Sequence, residues 1–135
     1  MTFSVEVIDE VGHSQFDEYR ATELCVAAFR SRGLDLDHLG EVSVVLVDSE
    51  TIQNLNKAFR EKDAPTDVLS FEVDGPYGEM VGEIVISPEC ASPDMGVEEL
   101  VVHGALHLSG MDHGEDFESS EMAEVQAMVL EKLRG

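Results

Sequence analysis

Cysteine, basic residues and long apolar runs are all scarce in this chain of 135 residues. Its two cysteines, Cys25 and Cys90, lie far apart and form no CxxC pair, so neither a disulfide framework nor a thiolate zinc cluster is indicated. No apolar run approaches the length of a transmembrane helix, and the opening MTFSVEVIDE lacks the basic flank and apolar core of a signal peptide. We therefore expect a cytoplasmic protein with reduced thiols and no membrane partner.

Positive charge is especially scarce, because 8 Lys and Arg face 29 Asp and Glu, for a formal net charge of −21. Such a surface keeps a protein soluble and repels nucleic acid at long range, so no DNA partner is expected. The basic residues are unevenly spread: Lys57, Arg60 and Lys62 fall together, whereas residues 63–131 contain neither lysine nor arginine. Any anion-binding spot in the middle of the chain is therefore local to this basic segment.

The length and the order of apolar patterns predict one domain, residues 1–135, that mixes strands and helices. The segment DGPYG (74–78) is typical of a turn, so the strands on either side of it are expected to pair as an antiparallel hairpin. VSVVLVD is almost continuously apolar, as expected of a strand covered on both faces. The predicted strands are FSVEVID (3–9), VSVVLVD (42–48), TDVLSFEV (66–73) and GEIVIS (82–87).

Apolar residues at helical spacing predict helices between and after these strands. The first runs from about Ser14 to Arg32, with Ser14 as its N-cap and Gly33 as its C-terminal stop, and Ser49 caps the second. In the second helix, Ile52, Leu55 and Phe59 form the apolar side. A third helix is predicted over Val97–Leu108, and the buried stripe of the last helix is formed by Met122, Val125, Val129 and Leu133.

Three of the five histidines fall within HGALHLSGMDH (103–113). His103 and His107 are one helical turn apart, so their imidazoles can converge on one ion, and Gly110 lets the chain turn back and deliver His113 to a third corner. Three imidazoles with a fourth position left to water are the usual arrangement of catalytic zinc. On a helix too apolar to hydrate them, this spacing favours a metal site over histidines packed in the core.

The spacing also matches the metzincin proteases, whose pattern is HExxHxxGxxH. Here Gly104 stands at the glutamate position, so the general base of those enzymes is absent. A metalloprotease-like hydrolase is therefore the alternative function and not the leading one.

HGALHLSGMDH resembles the HGxLHLxGxDH signature of the YbeY family of bacterial endoribonucleases, which are also described as rRNA maturation factors. LNKAFREKDAPTDVLSF (55–71) is similar to that family's LN…R…TDVLSF block, and GEIVIS resembles its third block. All three lie in family order. In two departures, Glu83 stands where the family more often has Asp after the glycine, and the chain is somewhat short.

The resemblance implies an α+β fold in which a mixed four-stranded sheet, with one antiparallel hairpin, packs with about four to five helices. It implies cleavage of single-stranded RNA that depends on one Zn²⁺ per chain, held by His103, His107 and His113, and it matches Arg60 to an arginine regarded as functionally essential. It further implies maturation of the 16S rRNA 3′ end and ribosome quality control. A non-catalytic, ribosome-associated metal-binding module is the competing class.

The catalytic role that the resemblance implies for Arg60 fits the chemistry, because phosphodiester cleavage builds charge on non-bridging oxygens that a guanidinium can bind by two hydrogen bonds. From the residues alone, an arginine that interacts with helix-terminal carbonyls is the preferred alternative. The nucleophile stays open between a zinc-activated water and the ribose 2′-OH. Because the chain is so acidic, we expect a ribosomal protein or ribosome-associated factor to present the RNA.

Supporting roles fall to polar residues near the histidines and Arg60. Asp67 shares a strand face with Leu69 and Phe71, so it is expected to be buried and hydrogen-bonded, and Asp112 is expected to accept a hydrogen bond from an imidazole. Glu115 and Asp116 are assigned to a solvated loop or a helix N-terminus. The full predicted supporting set is Lys62, Thr66, Asp67, Ser70 and Asp112.

Overall fold

The computed structural model describes residues 3–12, 16–74, 80–93, 95–113, 117 and 120–134. Short 3-10 helices occur at Leu36–His38 and Pro88–Cys90. The strands are β1 (Ser4–Asp9), β2 (Leu39–Leu46), β3 (Val68–Asp74) and β4 (Met80–Ile86). The α-helices are α1 (Glu18–Ser31), α2 (Ser49–Arg60), α3 (Val97–Leu108) and α4 (Glu121–Arg134).

The strands form one mixed sheet in the order β1-β2-β4-β3. β2 pairs in parallel with β1 and β4, whereas β3 and β4 are antiparallel, with Val68 opposite Ile86 and Asp74 opposite Met80. The predicted α+β fold, its four-stranded mixed sheet and its single antiparallel pair are therefore confirmed. The predicted turn falls on residues 75–79, which lie outside the described residues, as only Asp74 of that segment is included.

The two faces of the sheet carry different numbers of helices. Val42, Val44 and Ile84 point into a large core with α1, α3 and α4, which we call the three-helix face. Val47 and Val85 point the other way and pack with α2 on the one-helix face. Since successive strand residues alternate between faces, this explains the nearly continuous apolar character of β2 and confirms that it is covered on both sides.

The N-caps of two helices differ from the predicted ones. The Asp17 carboxylate accepts a hydrogen bond from the Arg20 amide at 2.8 Å, and Asp48 does the same for the Thr51 amide at 2.8 Å. The prediction that Ser49 is a cap is wrong, because it is the first residue of α2, and Ser14 lies outside the described residues. Serine and aspartate both cap well, and an aspartate adds a charge that the positive end of the helix dipole stabilises.

The third helix has the predicted bounds and is buried on nearly all sides from Leu100 onward. At 12 residues the helix is too short to span a membrane, so its apolar character reflects its burial inside the domain. None of the described helices is long and apolar enough to cross a membrane.

Candidate metal centre

Helix α3 and the turn after it bring three imidazoles together. The glycine after the helix, Gly110, has a φ of +103°, and the Met111 amide returns to the Leu106 carbonyl at 3.0 Å. This left-handed exit reverses the chain, as glycine allows without strain. One ligand nitrogen each of His103, His107 and His113 lies within 4.8 Å of the others, so the cluster can bind a metal ion.

Hydrogen bonds on the outer nitrogens fix which nitrogens face inward. The His107 Nδ1–H donates to the Met111 carbonyl oxygen at 3.0 Å, because a carbonyl can only accept. The Nδ1 of His103 faces the Oε1 of Gln126 at 3.0 Å. Both Nε2 atoms are left with lone pairs directed into the site, and they lie 3.2 Å apart.

This spacing suits a shared cation. Two lone pairs that face each other repel unless a proton or a cation lies between them. Two imidazole nitrogens at ~2.05 Å from a tetrahedral zinc ion are about 3.3 Å apart, close to the 3.2 Å between the Nε2 atoms of His103 and His107. The donor set and its geometry therefore fit zinc.

Burial keeps these imidazoles neutral. Removal from water lowers the pKa of His103 to about 4, with the neighbouring His107 and His113 lowering it further and the Gln126 hydrogen bond opposing the shift. Burial also lowers the pKa of His107. Neutral imidazole is the form that binds a metal, so at neutral pH His103 and His107 are ready to do so.

An aromatic ring closes one side of the cluster. Phe117 packs edge-on against His103 and His113, with ring centroids 4.8 Å and 4.9 Å apart. No sequence pattern predicted a role for Phe117, whose only signal is that it is a lone aromatic residue in the acidic segment GEDFESSE. Packing of this kind restricts the rotation of the imidazoles and so fixes their direction.

Gly104 lies where α3 touches the sheet. A Cβ built there would be 2.5 Å from the Ile84 Cγ2 and 3.1 Å from the Ser70 Oγ, and the Ser70 hydroxyl donates to the Gly104 carbonyl at 3.3 Å. Any side chain at this position would clash with β3 and β4. The structure thus leaves no room at this position for the glutamate base of a metalloprotease.

The end of α2 and the segment after it also line the site. Glu61 has a φ of +58° and ends the helix, and the buried Asn56 side chain donates to the Ala64 carbonyl at 3.0 Å. Arg60 is the last residue of α2, where a basic side chain interacts favourably with the helix dipole, and it also lines the site. A cavity of about 180 Å³ is lined by His103, His107, His113, Arg60, Thr66, Asp67, Val68 and Ser70.

Three predicted supporting residues differ from expectation. Lys62 is exposed and does not line the cavity. Asp112 is 89% exposed, and its Oδ1 is 3.9 Å from the His107 Nδ1, beyond hydrogen-bond distance; the Met111 carbonyl is the acceptor instead. Asp67 is only half-buried, because it precedes the first residue of β3 and the strand alternation does not apply to it. Glu115 and Asp116 lie outside the described residues.

Comparison with known proteins identifies the family of this α+β protein with its three-histidine site. The model of the family described as Endoribonuclease YbeY matches residues 7–134. The chain belongs to the YbeY endoribonuclease family, which confirms the resemblance found in its motifs.

Relatives and a solved structure agree with this assignment. A Rubrobacter xylanophilus protein named Endoribonuclease YbeY is 66% identical over 100% of this chain and 99% of its own length. A Mycobacterium leprae protein of the same name is 34% identical over 96% of this chain and 82% of its own length. The solution structure of a Thermotoga maritima protein, 29% identical, covers 96% of this chain and 88% of that one with a TM-score of 0.51.

Proposed function

We propose that this protein is a zinc-dependent endoribonuclease that cleaves single-stranded RNA in the cytoplasm and acts in 16S rRNA 3′ end maturation and ribosome quality control. Membership of a family named for endoribonuclease activity supports the reaction class. The observation that carries the proposal is one cavity lined both by the three clustered imidazoles and by the Arg60 guanidinium. A cleft of this kind suits a phosphodiester, whose charge grows during cleavage.

The three histidines would hold one zinc ion per chain, and a zinc ion on three imidazoles supplies a Lewis acid and a site at which water ionises near neutral pH. His103 and His107 contribute their Nε2 atoms, since their Nδ1 atoms are already hydrogen-bonded. The Phe117 ring packs against the imidazoles of His103 and His113 and removes part of their surface from water, in which electrostatic interactions are most strongly screened.

The other residues that line the cavity would bind the RNA backbone. The Arg60 guanidinium can donate two hydrogen bonds to phosphate oxygens, and the hydroxyl of Thr66, which also lines the cavity, is a further donor. The carboxylate of Asp67 repels phosphate but can accept from a ribose hydroxyl. A donor-and-acceptor wall of this kind distinguishes RNA from DNA through the 2′-OH.

Because its surface is acidic, this chain needs a partner to recognise RNA. With a net charge of −21 the chain repels RNA at long range. We therefore assign most of the recognition to a ribosomal protein or ribosome-associated factor that presents the strand, and only the local contact with the cleaved phosphate to this chain.

Single-turnover cleavage of single-stranded RNA, measured with and without a chelator, tests the proposal. Purified protein should contain about one zinc per chain, and His107→Ala should lose both zinc and cleavage. Arg60→Ala should keep its zinc but slow cleavage by about 10²- to 10³-fold, because the guanidinium acts on the transition state. Lys62→Ala is the matched control at saturating protein, where a contact that adds only affinity leaves the rate unchanged, since Lys62 is basic and nearby but does not line the cavity.

Two results would overturn the assignment. Cleavage that survives His107→Ala would come from a contaminating nuclease. Zinc bound at one equivalent without any cleavage of RNA would favour the non-catalytic, ribosome-associated module.

A further inference from the structure

One buried polar side chain on α4 has no place in the proposed reaction. Gln126 is only 6% exposed and lies on the apolar side of its helix with Met122, Val129 and Leu130. Placing an amide there is costly unless it is hydrogen-bonded. Its Oε1 atom is 3.0 Å from the Nδ1 of His103, so its partner is one of the three clustered imidazoles.

The hydrogen bond determines the tautomer of His103. An amide oxygen only accepts, so the proton of a neutral His103 is on Nδ1 and the lone pair is on Nε2, which faces His107. For His107 the same task falls to the Met111 backbone carbonyl, which no substitution can remove. The His103 contact instead uses a side chain from a helix 23 positions further along the chain.

We propose that Gln126 is a positioning residue that holds His103 as its Nδ1–H tautomer and so prepares Nε2 to bind the metal. The claim that Gln126 prepares Nε2 for metal binding rests on the proposed function, whereas the claim about the His103 tautomer concerns the metal-free protein. Hydrogen-bond acceptors behind ligating histidines orient the ring and raise its basicity. Through Gln126, the packing of α4 is thereby coupled to the metal site.

The neighbouring lone pair explains what happens without the amide. If residue 126 cannot accept a hydrogen bond, a proton on the His103 Nδ1 has no partner, whereas a proton on Nε2 can be donated to the His107 Nε2 at 3.2 Å. The Nε2–H tautomer then becomes the favoured one. That tautomer cannot bind a metal through Nε2 without first losing or moving its proton.

The first experiment uses metal-free protein at neutral pH. Ring ¹⁵N chemical shifts of His103 should show the Nδ1–H tautomer in the wild type and a shift toward Nε2–H in Gln126→Met, which has a similar size but no acceptor. Gln126→Glu, which keeps an acceptor, should retain the wild-type tautomer. An Nε2–H tautomer in the wild type, or an unchanged tautomer in Gln126→Met, would overturn the proposal.

The second experiment measures zinc affinity by competition with a chelating dye. Gln126→Met should bind zinc about 10- to 100-fold more weakly, and Gln126→Glu should bind as tightly as the wild type or more so. Val129→Ala is the matched control, because it disturbs the packing of the same buried helix side without touching His103. Equal weakening in Val129→Ala and Gln126→Met would assign the effect to packing and refute a positioning role.

The two readouts separate this inference from the proposed function. A wild-type protein that takes up no zinc contradicts the zinc-dependent reaction, yet the ¹⁵N shifts still decide whether Gln126 sets the tautomer. If zinc uptake is normal and the His103 tautomer does not change with residue 126, the inference about Gln126 is refuted and the proposed function is not.

Discussion

The two faces of the sheet differ in how completely they are covered. On the three-helix face the large side chains of the core, such as Phe29 and Leu106, are fully buried. On the one-helix face α2 leaves Phe59 67% exposed and leaves a cavity of about 630 Å³ between the helix and the sheet. The tightly packed face supplies His103 and His107, whereas Arg60 comes from the end of the helix on the loosely packed face.

This difference in packing matches the different roles proposed for the histidines and for Arg60. Metal ligands need fixed rotamers, and a close-packed interior provides them. A side chain that meets the substrate has to remain accessible, and Arg60 is exposed although it lines the cavity. The comparison therefore predicts that substitutions of the large buried side chains on the three-helix face change stability most, and that those of the exposed side chains on the one-helix face change stability little.

Two phenylalanines provide the strongest test of the comparison. Phe29 is fully buried on the three-helix face and packs edge-on against Phe3 with centroids 5.7 Å apart. Phe29→Ala should lower the free energy of unfolding by about 3–5 kcal/mol through lost burial and a cavity. Phe59→Ala removes the same type of side chain from the one-helix face, where its ring packs against that of Phe71 with centroids 5.2 Å apart.

Because Phe59 is mostly exposed, Phe59→Ala should cost about 1 kcal/mol or less. Urea denaturation of both variants at one pH measures the difference. Similar losses in the two variants would mean that the one-helix face is covered more completely than the structure indicates, and the comparison would fail.

Ion pairs on the two faces provide a smaller test. On the three-helix face, Arg20 of α1 donates to both carboxylate oxygens of Glu98 at 2.7 Å and 3.0 Å. The hydrogen bond from Arg20 lowers the pKa of Glu98 below its ordinary value of 4.5, although partial burial opposes this. Glu98→Gln should therefore lower the free energy of unfolding by about 1 kcal/mol at neutral pH, after allowance for solvent screening.

The pH dependence of that loss has a definite sign. A carboxyl group with a lowered pKa in the folded state stabilises the fold above its unfolded pKa, and this contribution is lost as pH falls from about 4.5 through the folded value. The difference between wild type and Glu98→Gln should thus shrink in acid. Asp63→Asn is the matched control near α2, because its partner Lys57 is 3.8 Å away and both are more than 60% exposed, at 65% and 62%. A larger effect for Asp63 than for Glu98 would contradict the comparison.

Local sequence patterns predicted the elements that depend on neighbouring residues. The bounds of α3, the exit at Gly110 and the convergence of His103 and His107 follow from helical spacing and glycine geometry, which act within a few residues. The continuous apolar run of β2 predicted its coverage on both faces. The mixed four-stranded sheet was predicted through family resemblance and its antiparallel pair through turn chemistry, whereas the strand order was not predicted.

Contacts between distant segments were not predicted in the same way. In the sequence, Gln126 is only a polar residue within the apolar stripe of α4, and its role depends on the packing of α4 beside His103. The role of Phe117 likewise depends on its contact with two imidazoles. Asp112 was favoured because it adjoins His113, yet a backbone carbonyl, which no sequence pattern displays, is the acceptor. Aspartate and serine are both good N-caps, so the sequence does not decide between Asp48 and Ser49. The choice depends on whether the helix begins at residue 49 or one residue later.

The smallest expected effect concerns RNA binding near the one-helix face. If only Lys57, Arg60 and Lys62 contact phosphates, the slope of log K against log[salt] for single-stranded RNA should be about −2, since each contact contributes about 0.7. Arg60→Ala should make the slope shallower by about 0.7. Lys57→Ala should change it less, because Asp63 lies 3.8 Å from the Lys57 ammonium and already balances its charge. A slope steeper than about −5 would require a broad basic surface, which a chain of net charge −21 with no Lys or Arg between residues 63 and 131 could provide only through a bound partner.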